Sequence, residues 1–268
     1  MSEFEGQIGR VEASSNHRIL VVVTMPKEAF LQLGLPSYES WFAQAMGLPD
    51  NRVNVVSAID EALPTTIPES GIVIGGSSHS VYEDIPWIRD LEEFIRSADR
   101  QKKPLLGVCF GHQAIAQALG GRVEKGEMGR EFGTAEMKLT PEGRRDKLFD
   151  GMPESFTLAT SHSDVVTQAP EGADTRTLAN GTLYPNQSFA VGDHIRTIQP
   201  HPEITCDVLS ALARSRKDIF TNEGFVQGDK GFEELMDAIK KSDYVNPGRQ
   251  ILQNFDRYFA GPYAQGTL

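Results

Sequence analysis

One cysteine lies between two glycines at the point where an apolar stretch gives way to a helical pattern. Gly107, Cys109 and Gly111 form a Gly-x-Cys-x-Gly motif, and small flanking residues permit a sharp strand-to-helix turn that brings the central side chain into solvent. The start of the following helix offers unpaired N–H groups and a positive dipole end, which favour a thiolate over a thiol. A free cysteine is most often a buried core residue, but a core position requires no flanking glycines. The motif therefore predicts that Cys109 is a nucleophile.

A cysteine nucleophile needs a base, and the base needs a group that orients it. His201 and Glu203 stand two residues apart at the end of an apolar stretch, and side chains two apart on extended backbone point to the same side. Pro202 fixes φ between them and limits how far the imidazole and the carboxylate can separate. Taken alone, these three residues also fit a surface histidine in a proline-rich loop, so the case for a base depends on the cysteine motif.

Both motifs, in this order and at this separation, resemble the class I (triad-type) glutamine amidotransferases. Within that family the chain is similar to the glutaminase part of GMP synthase and to γ-glutamyl peptidases. The resemblance is carried by Gly107-Val-Cys-Phe-Gly-His-Gln113 and by Gln199-Pro-His-Pro-Glu203, and it spans roughly residues 19 to 204.

The resemblance implies a role for each residue of the triad. Cys109 would attack the γ-carboxamide carbon of a glutamine-like substrate and form a γ-glutamyl thioester that water then hydrolyses. His201 would transfer the proton, and Glu203 would orient and stabilise the imidazolium. The backbone N–H groups of Phe110 and Gly76 would form the oxyanion hole. The sequence leaves open whether Gly75 or Gly76 supplies the second donor.

Substrate recognition in the family uses a glutamine four positions after the nucleophile and a Ser-His-x-Asp stretch. Here the matching residues are Gln113, Ser161, His162 and Ser163. The resemblance implies that backbone groups of this stretch bind the α-amino and α-carboxylate groups of the glutamyl moiety. A role of His162 and Asp164 in fixing the loop is an equally open alternative.

The elements that must position these residues form an alternating pattern in the first half of the chain. Short apolar runs suit strands buried on both faces, and amphipathic segments separate or follow them. The runs are 19–24, 53–56, 71–74 and 104–108, and the predicted helices are 38–46 and 87–98. This pattern predicts an α/β fold with a doubly wound, mostly parallel sheet flanked by helices.

Later segments predict shorter, more antiparallel strands and then helices. The strand candidates are 134–140, 155–159, 165–168 and 189–199, and the helix candidates are 205–219, 232–241 and 247–259. We therefore expect an N-terminal tail over 1–18, a class I glutamine amidotransferase-like domain over 19–204, and a C-terminal helical extension over 205–268 packed on the same domain.

Composition and charge exclude several classes of protein. The chain has 268 residues, of which 39% are hydrophobic, and a net charge of −11. That charge repels phosphate backbones and anionic membrane surfaces, so we expect no nucleic acid partner and no membrane association. Two cysteines cannot form a disulfide framework. Since the acidic start of the chain lacks a secretory pattern, we predict a cytoplasmic protein.

The resemblance leaves three functions open. The first is a glutaminase that hydrolyses glutamine and either releases the ammonia or passes it to a synthase. The synthase would be a separate subunit, because this sequence has no phosphate-binding or ATP-pyrophosphatase loop. The second is a free-standing hydrolase of γ-glutamyl amides or peptides. A non-catalytic binding protein is placed last because the whole triad is present. The substrate would be glutamine or a γ-glutamyl amide, and no metal or cofactor is expected.

Overall fold

The computed structural model describes residues 17–26, 31, 37–172 and 174–261. The predicted N-terminal tail therefore lies outside the described residues, except for His17 and Arg18. Among these residues, nine strands form the main sheet and two form a small one. In chain order they are β1 (Ile19–Val23), β2 (Val53–Ser57), β3 (Gly71–Ile74), β4 (Leu105–Val108), β5 (Arg122–Lys125), β6 (Glu131–Leu139), β7 (Ser155–His162), β8 (Asp164–Gln168), β9 (Thr175–Gly181), β10 (Ser188–Val191) and β11 (Ile195–Ile198).

The main sheet has a parallel half and an antiparallel half. Its strand order among the described residues is β2-β1-β3-β4-β11-β10-β9-β6-β7. Strands β2, β1, β3, β4 and β11 run parallel to one another, whereas the pairs β11–β10, β10–β9, β9–β6 and β6–β7 are antiparallel. The predicted fold class is confirmed as an α/β fold with a large central sheet flanked by helices, and the parallel strands form one half of that sheet.

Burial explains why the parallel strands could be read from the sequence. Every residue of β1, β3, β4 and β11 is buried, as expected for strands covered by helices on both faces. Near-continuous apolar runs are the signature of such strands. Within the parallel half, β4 lies between β3 and β11, so the chain segments that leave these three strands emerge side by side.

Seven α-helices surround the sheet in the described residues. They are α1 (Tyr38–Met46), α2 (Pro86–Arg100), α3 (Phe110–Ala118), α4 (Cys206–Ser215), α5 (Lys217–Asn222), α6 (Gly228–Lys241) and α7 (Val245–Phe255). The side chains of Ser37 and Thr205 accept hydrogen bonds from backbone N–H groups and so cap the starts of α1 and α4. None of these helices has the length and apolar composition needed to cross a membrane.

Three expectations about elements need correction. Residues 205–219 do not form one helix, because the chain breaks at Arg216 between α4 and α5. The run 189–199 is a hairpin of β10 and β11. Strands β5 and β9 were not predicted, since β5 exposes three of its four residues and β9 has only two buried residues.

The C-terminal helices share a core with the first half of the chain. Ile251, Leu252 and Phe255 on α7 are completely buried, in the same hydrophobic cluster as Val21. The amide of Asn254 donates hydrogen bonds to the carbonyl oxygens of residues 148 and 150, at 3.0 and 2.9 Å. Helix α7 also passes so close to Pro202 that a Cβ atom on Gly248 would collide with the Pro202 carbonyl oxygen.

Candidate active site

Cys109 occupies the turn between β4 and α3 in an unusual backbone conformation. Its φ and ψ angles are 52° and −103°, a region that non-glycine residues rarely enter and that costs about 1–3 kcal/mol. A Cβ atom on Gly107 would lie 2.5 Å from the Gly111 carbonyl oxygen, and one on Gly111 would collide with the Ile74 carbonyl oxygen. Both glycines are therefore required by close packing around the turn.

His201 and Glu203 lie together just after β11. The Nδ1 atom of His201 is 2.8 Å from Oε1 of Glu203, and both side chains are buried. The His201 N–H donates to the carbonyl oxygen of Ala159 on β7 at 2.8 Å, and the Trp41 indole donates to the carbonyl oxygen of Glu203 at 3.1 Å. Two neighbouring elements thus fix the backbone of the pair.

The imidazole of His201 also interacts with Cys109. Burial by itself lowers the pKa of His201, but the negative charges of Cys109 and Glu203, with hydrogen bonds to both, raise it to about 10. These interactions favour the imidazolium form. The structure thus brings together the three residues that the two sequence motifs singled out, although Cys109 and His201 are 92 positions apart.

The sulfur of Cys109 is less accessible than the turn motif suggested. Cys109 is only 4% exposed, and it lines an open cleft with a cavity volume of about 950 Å³. The carbonyl oxygen of Ser161 lies 4.0 Å from Sγ. The expectation that the turn lifts the sulfur into solvent is wrong, because the walls of the cleft shield all but a small part of the residue.

The backbone beside Cys109 offers two N–H groups without an acceptor among the described residues. These belong to Gly76 and Phe110, whereas the Gly75 N–H donates to the carbonyl oxygen of Val22 at 3.1 Å. Gly76 lies against the triad, since a Cβ atom there would be 2.8 Å from Cε1 of His201 and 3.7 Å from Cβ of Cys109. Of the two glycines, only Gly76 has a donor to offer.

The predicted substrate-binding residues all line the cleft, but their side chains differ in what they can still bind. Gln113 donates from Nε2 to the Asp164 carbonyl oxygen at 2.8 Å and to Oε1 of Gln199 at 3.0 Å, which uses both of its N–H groups. The Ser161 hydroxyl accepts a hydrogen bond from Arg216 at 2.6 Å. The carbonyl oxygen of Ser163 accepts from the Gly126 N–H at 2.8 Å.

His162 and Asp164 connect parts of the cleft wall. Nε2 of His162 is 2.9 Å from the Glu131 carboxylate, and Nδ1 is 3.1 Å from the Asp164 carbonyl oxygen. The Asp164 carboxylate accepts hydrogen bonds from Ser80 at 2.5 Å and Tyr82 at 2.9 Å, which lie on the segment after β3. Both ring nitrogens of His162 are thus engaged within the protein, an arrangement that fits the loop-fixing alternative.

Other candidate groups lie away from the reacting centre. His112 follows the nucleophile closely in sequence but is fully buried, with its ring 5.0 Å from that of Phe189. Burial, together with repulsion from His162, lowers its pKa to about 3. His79, at the rim of the cleft, is 2.9 Å from Glu83. No group of three or more His, Cys, Asp or Glu residues in the described chain is arranged to hold a metal ion.

Two residues near the site were missed in the sequence. Thr24 donates to the carbonyl oxygens of Gly75 and Gly76, at 3.2 and 2.9 Å, and so orients their peptides. A polar residue at the carboxyl end of an apolar strand could have indicated it, because ligands of open α/β sheets bind at that edge. Arg216 reaches the cleft from the α4–α5 junction, and no spacing in the sequence connects it to the motifs.

The chain matches a known protein family. The model of the family described as glutamine amidotransferase class-I matches residues 36–212. The chain therefore belongs to the class-I glutamine amidotransferase family.

The relatives include γ-glutamyl peptidases and glutamine-hydrolysing GMP synthases. The chain is 29% identical to γ-glutamyl peptidase 4 of Arabidopsis thaliana over 230 residues, which are 84% of this chain and 91% of that protein. It is 33% identical to a glutamine-hydrolysing GMP synthase of Porphyromonas gingivalis over 170 residues, 60% of this chain and 31% of that protein. The crystal structure of a glutamine amidotransferase from Thermotoga maritima has the same fold, with a TM-score of 0.69 at 17% identity over 90% of this chain and 97% of that one.

Proposed function

We propose that this protein hydrolyses γ-glutamyl amide bonds through a thioester on Cys109, and that γ-glutamyl peptides and amides are substrates it cleaves unaided. Glutamine, the smallest such amide, would be a substrate of the same chemistry. The observation that carries the proposal is the position of Cys109, beside the His201–Glu203 pair and in the wall of an open cleft.

The first half of the reaction forms the thioester. The thiolate of Cys109 attacks the γ-carbonyl carbon, while its proton is already held on Nε2 of His201, and Glu203 accepts a hydrogen bond from Nδ1 and stabilises this imidazolium. The N–H groups of Phe110 and Gly76 donate to the oxyanion of the tetrahedral intermediate. His201 then protonates the leaving nitrogen as the C–N bond breaks, and the γ-glutamyl group remains on the sulfur.

In the second half, water replaces the amine. His201 takes a proton from the water as its oxygen attacks the thioester carbon, and the same two N–H groups bind the second oxyanion. The C–S bond breaks, glutamate leaves, and the proton taken from water stays on His201, which restores the thiolate and the imidazolium. The two halves of the reaction consume only the amide substrate and water, so the reaction requires no other group.

Two observations support a peptidase over a simple glutaminase. The cavity volume of about 950 Å³ is near the upper end of the roughly 300–1,000 Å³ typical of small-molecule sites, which leaves room for a residue beyond the glutamyl group. The alignment with γ-glutamyl peptidase 4 covers 91% of that protein, whereas the alignment with GMP synthase covers 31%. The similarity to this chain therefore extends along nearly the whole length of the peptidase.

A glutaminase that serves a separate synthase is the second candidate. Three of the large apolar side chains that the described residues expose, Tyr82, Met128 and Ile219, lie around the same cleft. Apolar side chains grouped at the mouth of a site favour contact with another protein. In that case the isolated chain would turn over glutamine slowly, and its partner would raise the rate.

Release of glutamate by the purified protein distinguishes these functions. The substrates are glutamine and a panel of γ-glutamyl peptides and amides, with Cys109→Ser as the catalytic control and Cys206→Ser as the matched cysteine control. We expect turnover of γ-glutamyl peptides that is abolished only by Cys109→Ser. Weak turnover of glutamine alone would favour the glutaminase subunit. Absence of glutamate release from every substrate would overturn both candidates.

A further inference from the structure

Arg216 brings a guanidinium group from the C-terminal part of the chain to the candidate active site. It lies at the junction of α4 and α5, and its Nη1 atom donates to the hydroxyl oxygen of Ser161 at 2.6 Å. It lines the open cleft that contains Cys109 and also an adjoining smaller cavity that contains His201. Arg216 therefore lies between the cleft beside Cys109 and the cavity beside His201.

The charge of Arg216 has no carboxylate partner among the described residues. The other arginine in the cleft, Arg130, forms a two-point pair with Glu223, at 2.9 and 3.0 Å. Burial lowers the pKa of Arg216, and the positive charge of Arg130 lowers it further, while the charge of Cys109 acts in the opposite direction. An arginine stays protonated regardless. A partly buried cation of this kind is stabilised when an anion binds beside it.

We infer that Arg216 binds a carboxylate group of the substrate and thereby selects amides that carry this carboxylate over amides that lack it. The inference rests on the proposed function, because it assigns the ligand of the same cleft. A guanidinium presents several N–H donors in a planar fork that matches a carboxylate. Ser161 engages one end of that fork and leaves the other donors for a ligand.

Two carboxylates of a γ-glutamyl peptide could meet Arg216. One is the α-carboxylate of the glutamyl group, and the other is the carboxylate of the residue that leaves. Four ligands separate these sources. Glutamine has only the first, γ-aminobutyrylglycine has only the second, γ-glutamylglycine has both, and γ-aminobutyramide has neither.

The test measures the binding of these four ligands by titration calorimetry in a Cys109→Ser background. This substitution prevents turnover and removes the thiolate, so a role of Arg216 in stabilising the thiolate cannot affect the result. The variants added to it are Arg216→Gln, which removes the charge, and Arg216→Lys, which retains the charge without the fork. Lys125→Gln removes a charge from the exposed edge of the same cleft and is the matched control.

We expect Arg216→Gln to weaken the binding of the ligand that has the recognised carboxylate by about tenfold to a hundredfold, as for loss of a charged hydrogen bond. Arg216→Lys should restore part of the affinity, and Lys125→Gln should have little effect. A loss for glutamine assigns the α-carboxylate, and a loss for γ-aminobutyrylglycine assigns the leaving residue. Either result supports the inference.

Two results would overturn it. One is an equal loss for γ-aminobutyramide, which would mean that Arg216 only maintains the shape of the cleft. The other is that no carboxylate ligand binds. Because binding is measured without catalysis, an inactive parent enzyme with Arg216-dependent binding would reject the proposed function but retain the inference.

Discussion

The strained backbone of Cys109 is stabilised by hydrogen bonds that the turn donates to the chain on either side of β4, at the end of β11 and just after β3. The Cys109 N–H donates to the carbonyl oxygen of Ile198 at 2.9 Å, and the Gly111 N–H donates to that of Gly75 at 3.1 Å. These bonds fix the turn from both sides and offset the cost of a positive φ at a non-glycine residue. In our proposal, the same turn places the Phe110 N–H beside the sulfur. The strained conformation of Cys109 is thus the one that brings the nucleophile close to an oxyanion donor.

At the residue level, we predict that Glu203→Gln lowers kcat by about a hundredfold to ten-thousandfold, because the amide cannot stabilise the imidazolium of His201 as the carboxylate does. Steady-state kinetics on a γ-glutamyl peptide measures the effect. A matched control is Glu136→Gln on the exposed face of β6, which should retain the rate of the parent. A Glu203→Gln variant with unchanged kcat would refute the proposed role of Glu203.

His112 gives a prediction about acid stability. Its pKa is lowered from 6.5 to about 3 in the folded protein by burial, so the unfolded chain binds more protons below pH 6.5. The contribution of His112 to the free energy of unfolding is therefore complete above pH 6.5. As the pH drops from 6.5 toward 3, this contribution is lost at about 1.4 kcal/mol per pH unit. We expect His112→Leu to flatten this slope in urea unfolding measured at a series of pH values.

The control for this experiment is His79→Leu, at a ring that is 33% exposed at the rim of the cleft. We expect this variant to follow the slope of the parent down to about pH 5, below which the loss of the His79 hydrogen bond that lowers the pKa of Glu83 has its own effect on the acid dependence. If His112→Leu and the parent lose stability equally between pH 6.5 and 4, the burial of a neutral His112 does not determine the acid sensitivity.

At the level of elements, the Cys109 turn depends on how closely α3 approaches β3. A Cβ atom on Gly111 would collide with the carbonyl oxygen of Ile74, which is part of the sheet and cannot move freely. We predict that Gly111→Ala destabilises the protein by about 1–3 kcal/mol, as for an overpacked core position. Chemical denaturation followed by circular dichroism measures the change.

Gly231 provides the matched helical control for Gly111. It lies in α6, and a Cβ atom there would come no closer than 3.5 Å to its neighbours. Gly231→Ala should be neutral or stabilising by up to about 1 kcal/mol, because alanine favours the helix. Equal effects of the two substitutions would mean that the approach of α3 to β3 is not what requires Gly111.

The sequence predicted elements well where burial is two-sided. Strands β1, β3 and β4 have unbroken apolar runs because helices cover both of their faces. Strand β9 has a weaker signal, since most of its residues are only half buried, and its position in the sheet depends on pairing with β6 and β10. Local pattern carries no information about such distant partners.

The same limit applies to the site. Cys109 and Glu203 were predicted from short motifs, because the turn and the extended pair are local features. Arg216 was not predicted, because its approach to Ser161 depends on how α4 packs across a chain separation of 55 residues. The resemblance to a family covered residues up to about 204 and gave no information on the helices beyond it.

At the level of the whole molecule, we propose that the C-terminal helices, within residues 205–261, form one folding unit with the sheet. Phe255 on α7 is completely buried, in one cluster with side chains of β1 and α1. Phe255→Ala should therefore cost about 3–5 kcal/mol, whereas Ile219→Ala, at a side chain that is 47% exposed, should change stability little. Urea unfolding followed in parallel by tryptophan fluorescence and circular dichroism provides the measurement.

One folding unit also predicts that both signals change at the same urea concentration. Trp41 is on α1, which packs against α7, and Trp87 is on α2. The fluorescence therefore reports on two of the helices that flank the sheet. Separate transitions, or a loss in Phe255→Ala that leaves the fluorescence transition unchanged, would indicate that the C-terminal helices fold independently.

In the proposed reaction a γ-glutamyl group is transferred to the sulfur of Cys109, and trapping that group tests the transfer itself. The protein is mixed with a γ-glutamyl peptide, quenched in acid within the first turnover, and digested for mass spectrometry. A parallel reaction contains hydroxylamine, which competes with water for the thioester. We predict one γ-glutamyl group on the peptide that contains Cys109, formation of γ-glutamyl hydroxamate, and loss of both in Cys109→Ser. Glutamate release that continues at the parent's rate in Cys109→Ser, or an adduct on Cys206 in place of Cys109, would contradict the claim.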